Sequence, residues 1–511
     1  MSASRLVLGA SRAWLIVVIA MALLISELPR LISVCCAPPG ATGLGTAWFV
    51  NDFAQYESAM RQGAEHAGWL VHDPFTAEPH HAAFMFTLYV AAGKLAAALS
   101  VPPMWVENAL EILARTLLVV ALWRFCRAFA NDRATARWAF GLTLFASGFE
   151  LFGALFGGYS GNWSYEMNGF GLLFAAPHVP LGMAATLELA RTLLRPGFRL
   201  SSRGLGAVAL LSASVALLHP FHAPVLLGAV GLVGLAFWRT GRGAANLVGG
   251  IVAGLAALPV LLPTVATFSL DPFWAMTYTA QNRLPSPAPQ ELLVDVGPLL
   301  LLALLGVALL RARVAPFGLL VWLVLALVGM YLPVPYQRRL AFGIQPAMAI
   351  LAANGLIAGG CALSRRRAAL LRQVVVATAA SGTVLVLVSM VASGFRNTPL
   401  PVYRSTADLD AAAAWLDARA QPDEVILADW DTSNYLAART PARVFGGHPV
   451  ATLHPDEKRL EIASVFAQPD NLGAARGLGA AWLVLGPDEA THATPAGPAF
   501  QAGEVRVYRV S

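Results

Sequence analysis

The chain alternates long apolar stretches with short polar loops from its N-terminus to about residue 395. A bilayer core about 30 Å thick is crossed by roughly 20 apolar residues in an α-helix. By that measure the pattern predicts a mainly α-helical, multi-pass transmembrane bundle of about eleven spans. The predicted spans are residues 13–33, 104–127, 134–156, 167–194, 204–219, 223–239, 244–266, 296–312, 315–333, 341–363 and 371–393.

Charged positions between these stretches set the predicted orientation. Arginines cluster in every second loop, and the N-terminus carries Arg5 and Arg12 on the same side. Because short cytoplasmic loops are rich in Lys and Arg, this side is predicted to be cytoplasmic. An odd number of spans then places the C-terminus outside the cytoplasm, and the first stretch is predicted to be an uncleaved span. The loop arginines are Arg124, Arg127, Arg133, Arg137, Arg191, Arg195, Arg199, Arg203, Arg239, Arg242, Arg311, Arg313, Arg365, Arg366, Arg367 and Arg372.

Residues 82–101 are apolar enough to be taken for a further span. If they crossed, the N-terminus and the loop from Arg124 to Arg137 would lie on opposite sides, and Lys94 would sit near mid-membrane. We therefore predict a helix that lies along the outer membrane surface. This choice keeps residues 51–103 outside the cytoplasm.

The chain changes character at about Pro399, where charges become denser and apolar runs shorten to strand length. An amphipathic helix is predicted in STADLDAAAAWLDARA, capped by Ser405 or Thr406. Strands are predicted in EVILAD, ARVFGG, AAWLVLG and VRVYRV, and helical turns at 455–467 and 472–478. The predicted organisation is a transmembrane domain, 1–398, with an outer loop, 34–103, followed by a small extracytoplasmic α/β domain, 399–511.

Composition supports the membrane class. The chain is 57% hydrophobic and 13% charged, and its mean hydropathy is +0.62. The net charge of +6 comes from loop arginines rather than a basic face, so nucleic acid is not a predicted partner. Lysine is nearly absent while alanine, glycine and arginine are abundant, which indicates a GC-rich bacterial genome and hence a bacterial inner membrane. The four cysteines have no metal-ligand spacing.

The stretch from Asn51 to His81 concentrates polar chemistry in this apolar chain. Charges beside hydrocarbon are costly, so such a cluster at a membrane boundary is a candidate functional site. The alternative is a solvated loop. Asp52 and Glu57 are the first two carboxylates of this stretch and are candidate site residues.

Other outer loops contribute cationic and histidine side chains. Arg338 and Arg339, beside Tyr336, break the positive-inside pattern that the other loops obey. Arginine suits bidentate capture of phosphate. Contact with anionic lipid headgroups is the alternative.

His219 and His222 flank Pro220-Phe221 where the fifth and sixth spans meet. They are either capping residues at a proline-broken helix tip or site residues. Glu166 and His178 are predicted at the outer ends of the third and fourth spans, where polar side chains are tolerated at the interface. All these positions fall on one predicted side, and we expect them to line one outer cavity.

Metal binding stays an open alternative. His72, His80 and His81, with Asp73 and Glu78, offer donors for a divalent cation, but their spacing is not diagnostic. We therefore assign no metal ligand and no certain cofactor. In the tail, the strand-end residues Asp429, Asp431, Asn434 and His448 are either site residues or caps of helices and turns.

Several motifs together carry a family resemblance. Asn51-Asp52 with Tyr56 follows the first span, and HDPFTAEPH precedes the predicted surface helix. The chain also contains LLHPFHAP, YQRRLAFGIQP and, in the tail, DEVILADWDTSNYLAARTPARVFGGHP, which resemble segments shared by the members of one family. With the odd span count and the outer α/β tail, the chain resembles the GT-C superfamily of membrane glycosyltransferases, especially its bacterial members. It departs from them in one respect: Asn51-Asp52 stands where many members have two acidic residues.

The resemblance implies transfer of a sugar from a polyprenyl-phosphate donor to a glycan, lipid or protein acceptor, with inversion. Asp52 or Glu57 would be the base, and Arg338, Arg339 and Tyr336 would bind the donor phosphate. Membrane lipids are further partners. The implied substrate-binding residues are Glu78, His80, His81, Glu166, His178, His219 and His222.

Two other functions remain open from the sequence. A transporter or flippase of a lipid-linked saccharide would be expected to show broken or charged helices at the midplane and two related halves. No internal symmetry of that kind is visible in the sequence. A non-catalytic subunit for assembling a cell-envelope polymer is the second alternative, and the missing acidic pair keeps it open.

Overall fold

The computed structural model describes residues 3–37, 40–43, 50–149, 166–195, 198–240, 242–309, 314–395, 404–468, 470–486, 489 and 497–510. Its contacts group the chain into two compact units. The first comprises Met1–Leu28, Leu110–Leu262 and Arg283–Val391. The second comprises Pro29–Ala109, Pro263–Asn282 and Ala392–Ser511, so the outer-loop residues group with the tail.

Helices dominate the described residues, in agreement with the predicted fold class. They are α1 Ala3–Cys35, α2 Val50–Glu65, α3 Thr87–Leu99, α4 Pro103–Phe129, α5 Arg133–Phe145, α6 His178–Leu194, α7 Ser202–Leu218, α8 Ala223–Ala236, α9 Arg242–Leu270, α10 Pro289–Leu309, α11 Val314–Gly329, α12 Ile344–Cys361, α13 Arg365–Ala379, α14 Ser381–Phe395, α15 Ala407–Asp417, α16 Trp430–Arg439, α17 Pro455–Phe466 and α18 Asn471–Gly477. The strands are β1 Ala41–Gly43, β2 Arg404–Thr406, β3 Val425–Leu427, β4 Arg443–Val444, β5 Trp482–Leu485, β6 Phe500–Ala502 and β7 Val505–Arg509.

Five helical segments among the described residues are long and apolar enough to cross a membrane. They are Ala13–Ile32, Gly243–Leu270, Pro289–Ala308, Gln337–Cys361 and Arg365–Ala392. A membrane protein is therefore confirmed, whereas the count of eleven spans stays a prediction. Residues 150–156 of the predicted third span lie outside the described residues.

Helix α4 covers the predicted span 104–127. Its 27 residues extend about 40 Å at 1.5 Å per residue, and they include Glu107, Glu111 and Arg115. Arg115 donates to Glu111 at 2.9 Å and also pairs with Glu27 of α1. Glu27, Glu111 and Arg115 are therefore paired inside the first unit, as charges in an apolar environment usually are.

Helix α12 forms the centre of the first unit, because most of its residues are buried. It packs closely on α10 where Gly306 faces Gly355. A Cβ atom at Gly306 would lie 2.0 Å from the Leu351 carbonyl oxygen, and one at Gly355 would lie 2.4 Å from that of Leu302. Small residues at these positions allow the two backbones to approach, as in other membrane helix pairs.

In the second unit, α3 is the predicted surface segment. Its 13 residues span about 20 Å, which is too short to cross a bilayer core. One face of α3 packs against α2, where a Cβ atom at Gly93 would lie 1.8 Å from the Met60 carbonyl oxygen. The Tyr56 ring of α2 stacks on the Tyr89 ring of α3 at 4.3 Å. Leu95 and Leu99 on the other face are exposed, as expected of a helix that lies on a membrane.

The tail forms the predicted α/β structure. Its sheet has the order β4-β3-β5-β7-β6, with β3 parallel to β4 and β5, and β7 antiparallel to both its neighbours. All four predicted tail strands are present, and β6 is an additional one. Thr406 is the predicted cap of α15, because its Oγ1 accepts from the Leu409 N–H at 3.2 Å.

The loop after α2 extends the tail's structure in the second unit. The Val444 N–H donates to the Pro74 carbonyl oxygen at 2.8 Å, and Thr76 pairs with Gly446 as an isolated antiparallel bridge. The Arg443 guanidinium donates to the Ala77 carbonyl oxygen at 2.6 Å. Residues 74–77 therefore lie against the outer edge of β4, and the loop and the tail share one structure.

Candidate active site

Asp52 lies in the first turn of α2, where a carboxylate interacts favourably with the helix dipole. Its side chain is 44% exposed, so it is accessible to a substrate. Its Oδ1 lies 3.4 Å from Nε2 of His448. The structure therefore places the candidate base next to a histidine of the tail.

Glu57 lies one turn further along α2 and is engaged by the tail. Its Oε1 pairs with the Arg439 guanidinium at 2.8 Å, and that guanidinium also covers the Tyr435 ring at 3.8 Å. Burial raises the pKa of Glu57, while the charge of Arg439 acts in the opposite direction. This ion pair fixes α2 to α16, so Glu57 has a structural contact that Asp52 lacks.

Asp73 is a buried carboxyl that faces α2 and the π-helical turn Ala275–Gln281. Its Oδ1 accepts from the Phe75 N–H at 2.9 Å, and its Oδ2 lies 3.5 Å from the Tyr278 hydroxyl. Gln55 of α2 donates to the same hydroxyl at 2.7 Å. Burial raises the pKa of Asp73 to about 7, against the lowering effect of these hydrogen bonds and of Lys458.

We expect Asp73→Asn to stabilise the protein at high pH. A carboxyl whose pKa rises from 3.8 to about 7 on folding destabilises the fold progressively as the pH rises through that range. Asparagine keeps the acceptor for the Phe75 N–H and carries no charge. The apparent melting temperature of the variant, relative to the wild type, should therefore be a few degrees higher at pH 8 than at pH 5. If the difference in melting temperature between variant and wild type were the same at pH 5 and pH 8, the raised pKa of Asp73 would be contradicted.

Glu78 forms an ion pair with the buried side chain of Lys458 in α17. The Lys458 Nζ atom lies 2.7 Å from Oε1 and 2.8 Å from Oε2 of Glu78, and it also donates to the Phe445 carbonyl oxygen at 2.9 Å. Burial lowers the pKa of Lys458, while Glu78 acts to raise it. The pair joins the outer loop to the tail, and this contact accounts for Glu78 without a substrate.

His80 and His81 also make contacts within the second unit. The Asp73 N–H donates to His80 Nε2 at 2.9 Å, so Nε2 of His80 carries no proton. The proton of the neutral His80 ring is therefore on Nδ1, which donates to the Glu78 carbonyl oxygen. The His80 ring stacks on Phe273 at 4.2 Å, and burial lowers its pKa. The side chain of His81 is 94% exposed and lies 3.2 Å from Asp271. Only His81 of these two is open to a ligand.

The first unit brings together the predicted donor-binding residues. Arg338 Nε lies 3.3 Å from Oε1 of Glu166, which is fully buried, while the Arg338 side chain is partly exposed. Arg339 covers the Phe221 ring at 4.7 Å, and that ring lies 5.3 Å from the Tyr336 ring. Arg339 therefore lies beside the aromatic pair of Phe221 and Tyr336, and its chain neighbour Arg338 is held in place by Glu166.

The three histidines predicted in this region are also neighbours. The His219 ring lies 6.2 Å from that of His178 and 4.3 Å from that of His222. His222 Nδ1 bonds to the Thr186 hydroxyl at 2.9 Å. In the described residues, His219 Nδ1 and His222 Nε2 are buried and have no hydrogen-bond partner. Unsatisfied buried nitrogens of this kind are rare, and these two are the ring nitrogens that a water molecule or a ligand could still satisfy.

Within the part of the chain that is described, no three His, Cys, Asp or Glu side chains are placed to hold a metal ion. The histidine-rich outer loop is therefore not assembled as a metal site, since His80 and Glu78 are turned to other partners. We assign no chemical step to a metal.

Among the tail's strand-end residues, Asp429 and Asn434 have the structural role that the sequence allowed as an alternative to a role in a site: Asp429 caps a helix and Asn434 holds a turn. Asp429 accepts from the Asp431 N–H at 3.1 Å, and Asn434 donates to the Gly447 carbonyl oxygen at 2.9 Å. His448 is the one that faces a candidate catalytic group.

The sequence did not single out Lys458. It is one of only two lysines in a chain rich in arginine. That rarity is the one sequence signal that would have pointed to it.

Comparison with known proteins gives structural similarity at low sequence identity. No family model matches the chain, and no curated protein sequence matches it significantly. The archaeal oligosaccharyltransferase AglB from Archaeoglobus fulgidus, in complex with an inhibitory peptide and a dolichol-phosphate, aligns with a TM-score of 0.50 and 13% identity, over 93% of this chain and 69% of that one. An oligosaccharyltransferase of Archaeoglobus fulgidus in complex with Zn and sulfate aligns with a TM-score of 0.52 and 14% identity, over 93% of this chain and 68% of that one.

A second kind of enzyme aligns equally well. Arabinofuranosyltransferase AftD from Mycobacteria gives a TM-score of 0.55 at 17% identity, over 98% of this chain but only 40% of that one. At such identities the comparison shows the fold. This chain therefore shares the fold of the oligosaccharyltransferase and of the arabinofuranosyltransferase, in agreement with the fold that the resemblance to the GT-C superfamily implied.

Proposed function

We propose that the protein is an integral-membrane glycosyltransferase that moves a sugar from a polyprenyl-phosphate donor to an acceptor outside the cytoplasm. The observation that carries this proposal is the fold shared with two glycosyltransferases over 93% and 98% of the chain. One of those structures holds a dolichol-phosphate, which supports a lipid-linked donor for this chain as well. We also propose eleven spans, a cytoplasmic N-terminus, an extracytoplasmic tail and a bacterial inner-membrane location.

Arg338 is the proposed phosphate ligand. Its guanidinium is partly exposed and is oriented by the buried Glu166, so it presents its remaining N–H groups in a fixed direction. Guanidinium groups bind phosphate oxygens bidentately. Arg339 and Tyr336, which both contact the Phe221 ring, are the further proposed phosphate-binding residues. His178, His219 and His222 are proposed to bind the sugar through their ring nitrogens.

Asp52 is the proposed general base. As the acceptor oxygen attacks the anomeric carbon, its proton passes to the Asp52 carboxylate. The bond between the anomeric carbon and the phosphate oxygen breaks, and its electron pair leaves with the lipid phosphate. Arginine stabilises the charge that develops on that phosphate. A single displacement of this kind inverts the anomeric configuration.

The test is sugar transfer by the purified full chain in proteoliposomes. The donors are polyprenyl-phosphate monosaccharides carrying a radiolabelled sugar, offered one by one with membrane glycolipids, glycans and peptides as acceptors. Transfer from at least one donor, with inversion in the product, supports the proposal. Movement of the intact donor across the bilayer without transfer would instead identify a flippase.

Arg338→Ala is expected to reduce transfer about 10- to 100-fold, mainly by raising KM for the donor, since one charge-assisted phosphate contact is lost. Arg203→Ala, at an exposed residue in a predicted cytoplasmic loop, is the matched control and should behave as wild type. Arg338→Ala leaves the buried Glu166 carboxylate without this ion-pair partner, so the double variant Glu166→Gln/Arg338→Ala is measured as well. Recovery of donor affinity in the double variant would show that Arg338 only neutralises Glu166.

A further inference from the structure

The protonation state of His448 follows from its hydrogen bonds. Its Nδ1 atom accepts from the backbone N–H groups of Val450 at 3.1 Å and Ala451 at 3.0 Å. A backbone N–H can only donate, so Nδ1 carries no proton. A neutral imidazole has one N–H group, and in His448 it must therefore be Nε2–H.

That N–H group faces a single candidate partner. Nε2 lies 3.4 Å from Oδ1 of Asp52, and no atom of the described residues forms a hydrogen bond with it. The ring is almost completely buried, whereas the Asp52 carboxylate is partly exposed. The separation is slightly longer than a formed hydrogen bond. Catalytic hydrogen bonds are often long without substrate and shorten when it binds.

The ring is held so firmly that its direction is fixed. The Thr452 hydroxyl oxygen accepts from the N–H groups of Gly447 and His448, both at 3.0 Å, and donates to the Phe75 carbonyl oxygen at 2.7 Å. Gln281 donates to the carbonyl oxygens of Val450 and Thr452. The turn 447–452 is thus tied to both the outer loop and the π-helical turn, and its histidine cannot readily rotate away.

We propose that His448 is a positioning residue for Asp52. It donates Nε2–H to Oδ1, which fixes the carboxylate and leaves Oδ2 to accept the proton of the acceptor hydroxyl. This inference rests on the proposed function, in which Asp52 is the base. It makes the tail a part of the active site rather than a separate binding module.

Two variants separate this role from a structural one. In His448→Asn, the side-chain oxygen can take the place of Nδ1 and hold the turn, but the donor to Asp52 is lost. In His448→Gln, the longer amide reaches the position of Nε2 and keeps that donor. We expect kcat to fall about 10- to 100-fold in His448→Asn with KM little changed, and to remain within about fivefold of wild type in His448→Gln.

The outcomes are distinct from a failure of the proposed function. If Asp52→Asn transfers sugar at the wild-type rate, the base assignment fails and this inference fails with it. If Asp52→Asn is inactive but His448→Asn is as active as wild type, only the inference is overturned. Equal losses in His448→Asn and His448→Gln, accompanied by lowered melting temperatures, would show that the histidine only holds the turn.

A measurement on protein with an intact His448 does not depend on how the His448 variants fold. In ¹⁵N-histidine-labelled protein, the Nε2–H signal of His448 should indicate a neutral Nε2–H tautomer and should shift when Asp52 is replaced by asparagine. A protonated Nδ1, or a signal that is unchanged in Asp52→Asn, would overturn the proposed contact.

Discussion

Replacing Asp52 with asparagine is expected to lower kcat for sugar transfer by about 10²- to 10⁴-fold, the usual contribution of a general base. Asparagine has the same size and fills the same place in the first turn of α2, but it cannot accept a proton. Because the Asp52 side chain is 44% exposed, the change should cost little stability. The measurement is single-turnover transfer in proteoliposomes, with protein quantity and apparent melting temperature determined in the same preparations.

The chain offers a matched control on the same helix. Glu65 lies in the last turn of α2, its side chain is also 44% exposed, and it pairs with Arg61 at 2.8 Å. Glu65→Gln removes the same kind of charge far from the first turn and should retain transfer. Glu57→Gln tests the other candidate base, which Arg439 holds in an ion pair. An inactive Glu57→Gln together with an active Asp52→Asn would move the base to Glu57.

Local chemistry accounts for what the sequence could predict. The cap at Thr406 and the helix predicted within residues 82–101 are specified by neighbouring residues, and both are present, the latter as α3. The tail strands β3, β4, β5 and β7 each coincide with a short apolar run. Strand β6 was missed because its three residues are partly exposed and have no apolar pattern of their own. It is defined by its pairing with β7.

Contacts between distant parts of the chain could not be predicted in the same way. Asp52 and His448 come from opposite ends of the sequence, and each has an ordinary local explanation as a helix-turn acid and a loop histidine. The path of the loop 74–77 along β4 and the ion pair between Glu57 and Arg439 bring α2 and the turn 447–452 to the same place. The sequence therefore yielded candidate residues, whereas their pairing required the structure.

The roles of individual charges show the same limit. Glu78 and His80 were grouped with Asp52 because they share a polar stretch. In the structure, Glu78 instead forms an ion pair with Lys458, and His80 accepts a hydrogen bond from the Asp73 N–H. A charge in an outer loop has too many available partners for spacing alone to select one. Arg338 was recognisable because it broke the positive-inside pattern, yet its contact with Glu166 was not.

The ion pair between Glu78 and Lys458 is expected to dominate the docking of the outer loop on the tail. In Glu78→Gln the buried ammonium group keeps only neutral partners, the Phe445 carbonyl oxygen and the Thr76 hydroxyl. Breaking a buried pair by removing one partner typically costs about 3–5 kcal/mol. We expect a loss toward the lower end of that range, about 3 kcal/mol, because Glu78 itself is 35% exposed.

Lys458→Met should cost less than Glu78→Gln. Methionine retains much of the apolar stem, and the carboxylate left behind can turn toward water. The double variant should therefore be close to Lys458→Met and more stable than Glu78→Gln, which is the pattern of a coupled pair. Glu457→Gln, at an exposed carboxylate on the same helix α17 that is not among the main charges acting on Lys458, is the control and should have little effect.

Hydrogen exchange gives the local measurement, because unfolding of a two-unit membrane protein need not be a single transition. In Glu78→Gln, amides of residues 71–83 and 443–446 should exchange faster, whereas those of α10 and α12 should not change. The loss of local stability in Glu78→Gln, relative to the wild type, should also diminish as the pH rises. Burial already lowers the pKa of Lys458, so without Glu78 the folded state gains stability as the lysine becomes neutral, up to its unfolded pKa near 10.5. Uniform acceleration across both units, or a defect that grows with pH, would show that this pair does not hold the loop.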